Sequence, residues 1–522
     1  MGDAGRQKVE YGDFQTPLAL ARDVCALVVR KGFRPAAVLE PTCGTGAFLQ
    51  AALETFPEVS CVRGFEINPE YVDQARRAVE QARRIDGVGV SSRPSVAVHG
   101  ADFFRTDWPK VLASLPEPIL VLGNPPWVTQ AELGSLGSRN LPARSNPDRL
   151  RGIDALTGKS NFDISEWMLR RLLDGLAGKR GMLAMLCKTA VARKVLLYGW
   201  QKLRTIASAS IYLLDASRYF GAAVEAGLLV LECHPAGGLP ECQVYDSLDG
   251  GLPLSRWGLR DGILVSDVPT YERWKPLRGA GGKGWRSGIK HDCRQVFELH
   301  RDQDRLINGL GEVVDLEADR VFPLLKSSDL AARLTPRRAL VIPQRTLTED
   351  PAILQLQAPK TWKYLLDHAH LLDKRRSSIY RNRPRFSIFG VGTYSFAPWK
   401  VAIAGLYKKL DFVPVSPWNA RPVLLDDTCY FFPCWSAEEC RLLYELLTSP
   451  PALEFLSALI FWDAKRPVTA QLLNLLDLVA LARLTGRKEE LVRRLVQQQE
   501  DCSRPTSSQR FLFDCESAEC LE

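Results

Sequence analysis

The chain has 522 residues, of which 68 are Lys or Arg and 60 Asp or Glu, giving a net charge of +8; 46% are hydrophobic and 25% charged. That length exceeds what a single core supports and predicts two or three domains. No run approaches the roughly 20 unbroken apolar residues of a membrane span. Residues 1–10 are polar with no apolar signal core, so the chain reads as a cytoplasmic protein without a membrane partner. Thirteen cysteines and six histidines offer neither a Cys-x-x-Cys pair nor zinc spacing, which predicts reduced structural thiols and no metal. The mild basic excess is compatible with a polyanionic partner.

Short apolar runs alternate with helical patterns through the first half, the signature of an α/β unit with a largely parallel sheet. Residues 36–40 read as a strand entering a glycine turn and 48–55 as the helix that follows. Strands are predicted at 62–66, 95–99, 119–122, 181–187, 211–215 and 227–232, and helices at 70–84 and Ile164–Leu176. Ligand-binding groups in such a sheet belong at the carboxyl ends of the strands. Gly44 and Gly46 let the first turn approach a ligand closely. Glu66 ends the next strand, 20 residues after Gly46, where a carboxylate suits the ribose hydroxyls of a nucleoside cofactor. Asp102 and Phe103 end the third strand, a carboxylate suited to an adenine amino group beside a ring suited to stacking.

Glu40-Pro41-Thr42-Cys43-Gly44-Thr45-Gly46-Ala47-Phe48 resembles the acid-Pro-x-x-Gly-x-Gly-x-Phe turn of S-adenosylmethionine-dependent amino-methyltransferases that act on DNA. Phe14-Gln15-Thr16-Pro17 is similar to that family's methionine-end motif, and its N-terminal position matches the gamma arrangement. The resemblance covers residues 11 to about 235 well and the remainder in outline. It implies S-adenosylmethionine as cofactor, held by Gln15, Thr16, Pro17, Glu40, Thr42, Gly44, Gly46, Glu66, Ile67, Asp102, Phe103 and Asn124. It also implies a Rossmann-like class I methyltransferase domain with a mostly parallel seven-stranded sheet. A mixed α+β target-recognition domain follows in that arrangement.

Asn124-Pro125-Pro126-Trp127, after the fourth strand, matches the family's catalytic tetrapeptide. An exocyclic amine conjugated to its ring is a poor nucleophile because its lone pair is delocalised. The Asn124 amide oxygen and the Pro125 carbonyl can accept both amine hydrogens and localise that pair. Pro125 and Pro126 stiffen the loop, and Trp127 offers a face to an extruded base. Phe220, before the strand at 227–232, is the expected second aromatic, with Tyr219 its competitor as a core residue. This chemistry needs no nucleophilic cysteine; the only Pro-Cys pair, Pro433-Cys434, lies far beyond the catalytic half, which argues against covalent attack on a cytosine ring. Polar segments 133–140 and 152–163 read as lining the base pocket or touching the DNA backbone.

Gly279, Gly281, Gly282, Gly284 and Gly288 form a glycine-rich crossing, with the stretch 281–290 read as a hinge ahead of the alternative, a DNA-backbone clamp. The predicted domains are 1–265 for catalysis, 266–485 for target recognition and 486–522 for a polar helix and tail. Lys374, Arg375, Arg376, Arg381, Arg383 and Arg385 fall within twelve residues and, with Lys400, read as DNA-binding. Residues 437–484 return to helical periodicity and read as scaffold. The leading expectation is a site-specific adenine-N6 methyltransferase of double-stranded DNA. It would work in a restriction-modification or defence system, with or without a restriction endonuclease partner, or as an orphan enzyme. Cytosine-N4 methylation and protein glutamine methylation are the alternatives; Asn with Trp in the tetrapeptide stands between the commoner adenine and cytosine forms. Target sequence and oligomeric state are not written in these motifs.

Overall fold

The computed structural model describes residues 15–85, 94–128, 163–282, 284–302 and 305–501. Phe14 and the segments 133–140 and 152–162 lie outside the described residues. Two compact units divide the chain, Met1–Val268 and Pro269–Glu522.

The first unit is built on one mixed sheet. Its strands are β1 (Ala37–Glu40), β2 (Cys61–Glu66), β3 (Ser95–Gly100), β4 (Ile119–Gly123), β5 (Gly181–Lys188), β6 (Ile206–Leu214), β7 (Ala226–Cys233), β8 (Glu241–Tyr245), β9 (Ser255–Arg260) and β10 (Ile263–Val265). They lie in the order β10-β9-β8-β6-β7-β5-β4-β1-β2-β3. β1 through β5 run parallel along the half of the sheet that carries the motifs. β7 is inserted antiparallel between β5 and β6. The expectation of seven strands falls short by three: β8 pairs parallel with β6, and β9 and β10 extend that edge antiparallel. β8 alternates buried and half-buried residues over Glu241–Tyr245, a period-2 signal missing from the sequence expectation.

Burial explains why the central strands are continuous apolar runs. All four residues of β1 and all five of β4 are buried, as expected for parallel strands covered on both faces. Parallel neighbours need long crossovers, which run through α2 (Ala47–Thr55), α3 (Pro69–Ile85), α4 (Trp108–Ala113) and α5 (Ile164–Leu176). Among the described residues, α1 (Leu18–Arg30) lies ahead of β1, α6 (Thr189–Tyr198) follows β5, and α7 (Ala216–Phe220) leads into the antiparallel β7. α1 buries Leu20, Ala21, Val24, Leu27 and Val28, a 3.6-residue stripe. α3 starts where its sequence says it should: the Asn68 side chain accepts from Glu70 N at 3.0 Å, and Pro69 occupies the first helical position.

The second unit holds two sheets. One is antiparallel, in the order Arg286–Ser287, Cys429–Cys434, Trp399–Ala404, Phe412–Val415. The other runs Val313–Val314, Arg305–Asn308, Glu298–Asp302, Arg338–Val341, Val321–Leu325, Leu424–Leu425. Helices Ala437–Leu447, Pro450–Ser457, Ala470–Leu473, Leu478–Leu484 and Glu489–Asp501 follow. The last helix buries Val492, Leu495 and Gln499, and Gln499 donates to the Pro433 carbonyl at 3.2 Å.

The glycine-rich crossing is packed at Gly284 and Gly288, while Gly281 and Gly282 are exposed. Gly279 N and Gly282 N donate to the carbonyls of Leu475 and Asn474 at 2.8 and 3.2 Å. A Cβ on Gly288 would lie 2.0 Å from the Asp426 carbonyl oxygen. Close approach of backbone to backbone, rather than freedom to bend, is what glycine supplies there.

Candidate active site

The carboxyl ends of β1, β2, β3, β4 and β5 lie along one edge of the parallel sheet, and the predicted groups of the first unit gather there. After β1 the chain turns through Gly44 (φ +48°) and Gly46 (φ +90°) into α2. Both φ values are left-handed and suit glycine. A Cβ on Gly46 would come within 2.9 Å of Ala75 Cα, because α3 packs against the turn.

Two side chains clamp this turn. Gln15 Oε1 accepts from Thr45 N at 3.1 Å and from Thr45 Oγ1 at 3.2 Å, so the segment Gln15-Thr16-Pro17 is brought to the glycine turn from 30 residues upstream. Glu66 Oε2 accepts from Gly44 N at 2.9 Å, while Oε1 accepts from Ile67 N and Asn68 N at 2.9 and 2.8 Å. Three backbone donors therefore orient this carboxylate; its two oxygens together offer about four acceptor positions. Ile67, next to it, is exposed.

Glu40 is 2% exposed, and its Oε2 and the Thr42 Oγ1 are buried with no hydrogen-bond partner among the described residues. Burial, with the Glu66 carboxylate adding to it, holds the Glu40 carboxyl well above the usual carboxylate range. Buried polar atoms without partners are uncommon and mark places where a ligand completes the set. Asp102 closes the third strand end: its Oδ1 accepts from Phe104 N at 2.8 Å. Phe103 is buried and packs on Trp108, ring centroids 4.5 Å apart, with Trp167 beyond at 6.1 Å.

The tetrapeptide leaves β4 through Gly123 (φ +150°), whose Cβ, if present, would sit 3.5 Å from Glu40 Cγ. Asn124 is half-buried there, so the acid of the glycine turn and the amide of the tetrapeptide belong to adjacent strand ends. Trp127 is 5% exposed and meets Phe220, at the end of α7, edge to face with centroids 5.1 Å apart. Tyr219 is only partly buried, so Phe220 is the ring that reaches Trp127. A base held between two rings needs about 7 Å, twice a carbon contact distance of about 3.5 Å, and the rings stand closer than that. Cys43 and Cys187 are buried, and burial pushes both thiols up, which disfavours covalent attack by either.

One further pair was not signalled by any motif. Lys188, the last residue of β5, donates from Nζ to the Trp127 carbonyl at 3.1 Å and to Asp163 Oδ2 at 2.9 Å. An Asp just ahead of a helical pattern is a capping signal in the sequence; the lysine gives no local signal.

In the second unit the basic cluster separates into two kinds of residue. Lys374, Arg376 and Arg381 are exposed, Arg383 is half-buried, and Arg385 pairs with Asp373 at 2.6 Å. Arg375 is half-buried and turned toward its own unit. Its guanidinium donates to the carbonyls of Leu372, Ser387 and His291 and lies 4.0 Å from the centre of the Tyr380 ring. Lys400, expected to face DNA, is instead buried: it is 1% exposed, donates to the Ala397 carbonyl, and burial pushes its ammonium down to about 7.

No protein-family model matches the chain. Over 482 residues it is 42% identical to Type II methyltransferase M.NspV of Nostoc sp., an alignment that takes in 92% of this chain and 98% of that protein. Its fold aligns with the type IIL restriction-modification enzyme MmeI, solved in complex with DNA, at a TM-score of 0.51 and 12% identity, covering 99% of this chain and 78% of the other.

Proposed function

This chain belongs to the type II methyltransferases, and from that premise we propose that it methylates the exocyclic N6 amine of adenine at specific sites in double-stranded DNA. The observation that carries the reading is the convergence of Asn124-Pro125-Pro126-Trp127 with the Gln15-clamped glycine turn at one edge of the sheet. S-adenosylmethionine is the cofactor, and when bound it supplies an electrophilic methyl group on its sulfonium.

The residues fit that cofactor. Glu40 Oε2 and Thr42 Oγ1 are buried polar atoms that lack a partner among the described residues. Gly44 leaves room for the Gln15 side chain and Gly46 for Ala75 of α3, and Ile67 leaves apolar surface beside Glu66. Gln15, Thr16 and Pro17 would hold the methionine end, Glu66 the ribose, and Asp102 and Phe103 the adenine. Asn124 and the Pro125 carbonyl accept the hydrogens of the target amine, so its lone pair localises on nitrogen before attack. Pro125 and Pro126 keep both acceptors in place beforehand. Trp127 and Phe220 bound the space for a base taken out of the stack, and the two rings part to admit it. Lys374, Arg376, Arg381, Arg383 and Arg385 supply cations for DNA in the second unit.

The test compares wild type with Asn124→Ala, using radiolabelled cofactor and mixed-sequence duplex DNA. Wild type labels the DNA; the variant loses about 100-fold or more in rate, the scale for removing one preorganised polar contact, yet still binds S-adenosylmethionine. A wild type that labels no DNA, or a variant as active as wild type, contradicts the proposal.

A further inference from the structure

Lys188 and Asp163 form a charged brace at the tetrapeptide. β5 is the sheet neighbour of β4, with Gly123 opposite Met185, so the end of β5 reaches the loop that carries Asn124–Trp127. The Lys188 ammonium joins two things there: the carbonyl of Trp127 at 3.1 Å and the carboxylate of Asp163 at 2.9 Å. Asp163 is itself fixed. It is 7% exposed, and its Oδ1 accepts from Ser165 N at 3.0 Å and Ser165 Oγ at 2.6 Å, capping α5. Next to it, Ile164 N donates to the Val128 carbonyl at 3.0 Å. The exit of the tetrapeptide and the start of α5 are thus tied together twice, once by backbone and once through the lysine.

A charge-assisted bond to a carbonyl sets the plane of the peptide after Trp127, and that plane constrains the Trp127 backbone and its ring against Phe220. A buried aspartate that loses its cation is left uncompensated, so the pair resists separation. We infer that Lys188 and Asp163 are positioning residues for the methyl transfer proposed above: the ammonium, held by Asp163, sets Trp127 and with it the loop bearing Asn124. This rests on the methyl-transfer reading. Neither side chain is assigned contact with the reacting atoms.

The experiment uses full-length Lys188→Met, Lys188→Arg, Asp163→Asn and the Met/Asn double variant; asparagine keeps the helix cap. For each, kcat and KM on duplex DNA are measured, and the Kd for S-adenosylmethionine is taken by calorimetry. Lys188→Met and Asp163→Asn lower kcat by about 10- to 100-fold, the scale expected when an acceptor is misplaced by about 1 Å, with cofactor Kd unchanged. The double variant is no worse than the poorer single one, because the two residues act as a unit. Lys188→Arg recovers most of the rate. An active wild type with Lys188→Met equally active overturns the brace alone. So does a loss in kcat that arginine does not recover and that cofactor affinity follows in parallel. A wild type that methylates no DNA overturns the underlying reading and the brace with it.

Discussion

Replacing Lys400 with methionine separates the stability of the second unit from its DNA contacts. Lys400 is 1% exposed in a strand paired on both sides, and burial lowers its ammonium from 10.5 to about 7. Between those values the unfolded chain holds the proton and the folded chain does not, so stability rises with pH from about 7 toward 10.5. One pH unit inside the window is worth about 1.4 kcal/mol. From pH 7, where the folded group is half protonated, to pH 9 the gain comes to about 2 kcal/mol. Lys400→Met has no such group, so its stability changes by about 2 kcal/mol less than that of wild type over the same interval. Urea titrations of both full-length proteins at pH 7 and pH 9 read this as a difference of about 0.7 M between the two midpoint shifts, for a slope of about 3 kcal/mol/M. Comparing the two proteins cancels the other titrating groups. Parallel midpoint shifts would refute the burial argument, and so would weakened DNA binding by the variant at pH 9.

Gly46→Ala forces a left-handed φ of +90° on alanine and brings its Cβ to 2.9 Å from Ala75 Cα. We expect a loss of about 1–3 kcal/mol, measured as a lower unfolding temperature that added S-adenosylmethionine restores poorly. Gln15→Ala removes the acceptor of Thr45 N and Oγ1; the expected outcome is a raised KM for the cofactor with KM for DNA unchanged, read from initial rates. Lys374→Gln with Arg376→Gln neutralises two exposed cations and should flatten the slope of log K for DNA against log salt by about 2, in filter-binding or anisotropy titrations. Arg375→Met, by contrast, lowers the unfolding temperature and leaves that slope unchanged, because its guanidinium serves the carbonyls of Leu372, Ser387 and His291.

What could be read along the chain was what chemistry makes local. The strands entering the glycine turn and the tetrapeptide are apolar runs broken by Pro or Gly, and β1 and β4 begin and end within a residue of where those runs do. The Gln15 segment could be assigned by resemblance, while the bonds from Gln15 to Thr45 that bring it to the turn are tertiary. Side-chain direction was not legible. Lys400 stands beside Val401 in the run Trp399–Ala404, and only the strands on either side make it interior. Arg375 and Arg376 are neighbours with opposite fates, since a charge run does not say which member folds back over Tyr380. At the glycine crossing, composition records the absence of Cβ atoms and not the Asp426 carbonyl that requires it at Gly288. Lys188 and Asp163 are 25 residues apart and meet only because α5 leads back into β5 beside β4.

The most direct test is the identity of the modified nucleoside. Full-length protein is incubated with S-adenosylmethionine and duplex DNA of mixed sequence, the DNA is digested to nucleosides, and these are resolved by chromatography and mass spectrometry. The account predicts N6-methyladenine, absent from the Asn124→Ala reaction. N4-methylcytosine in its place, or methyl groups found only in protein, would contradict it.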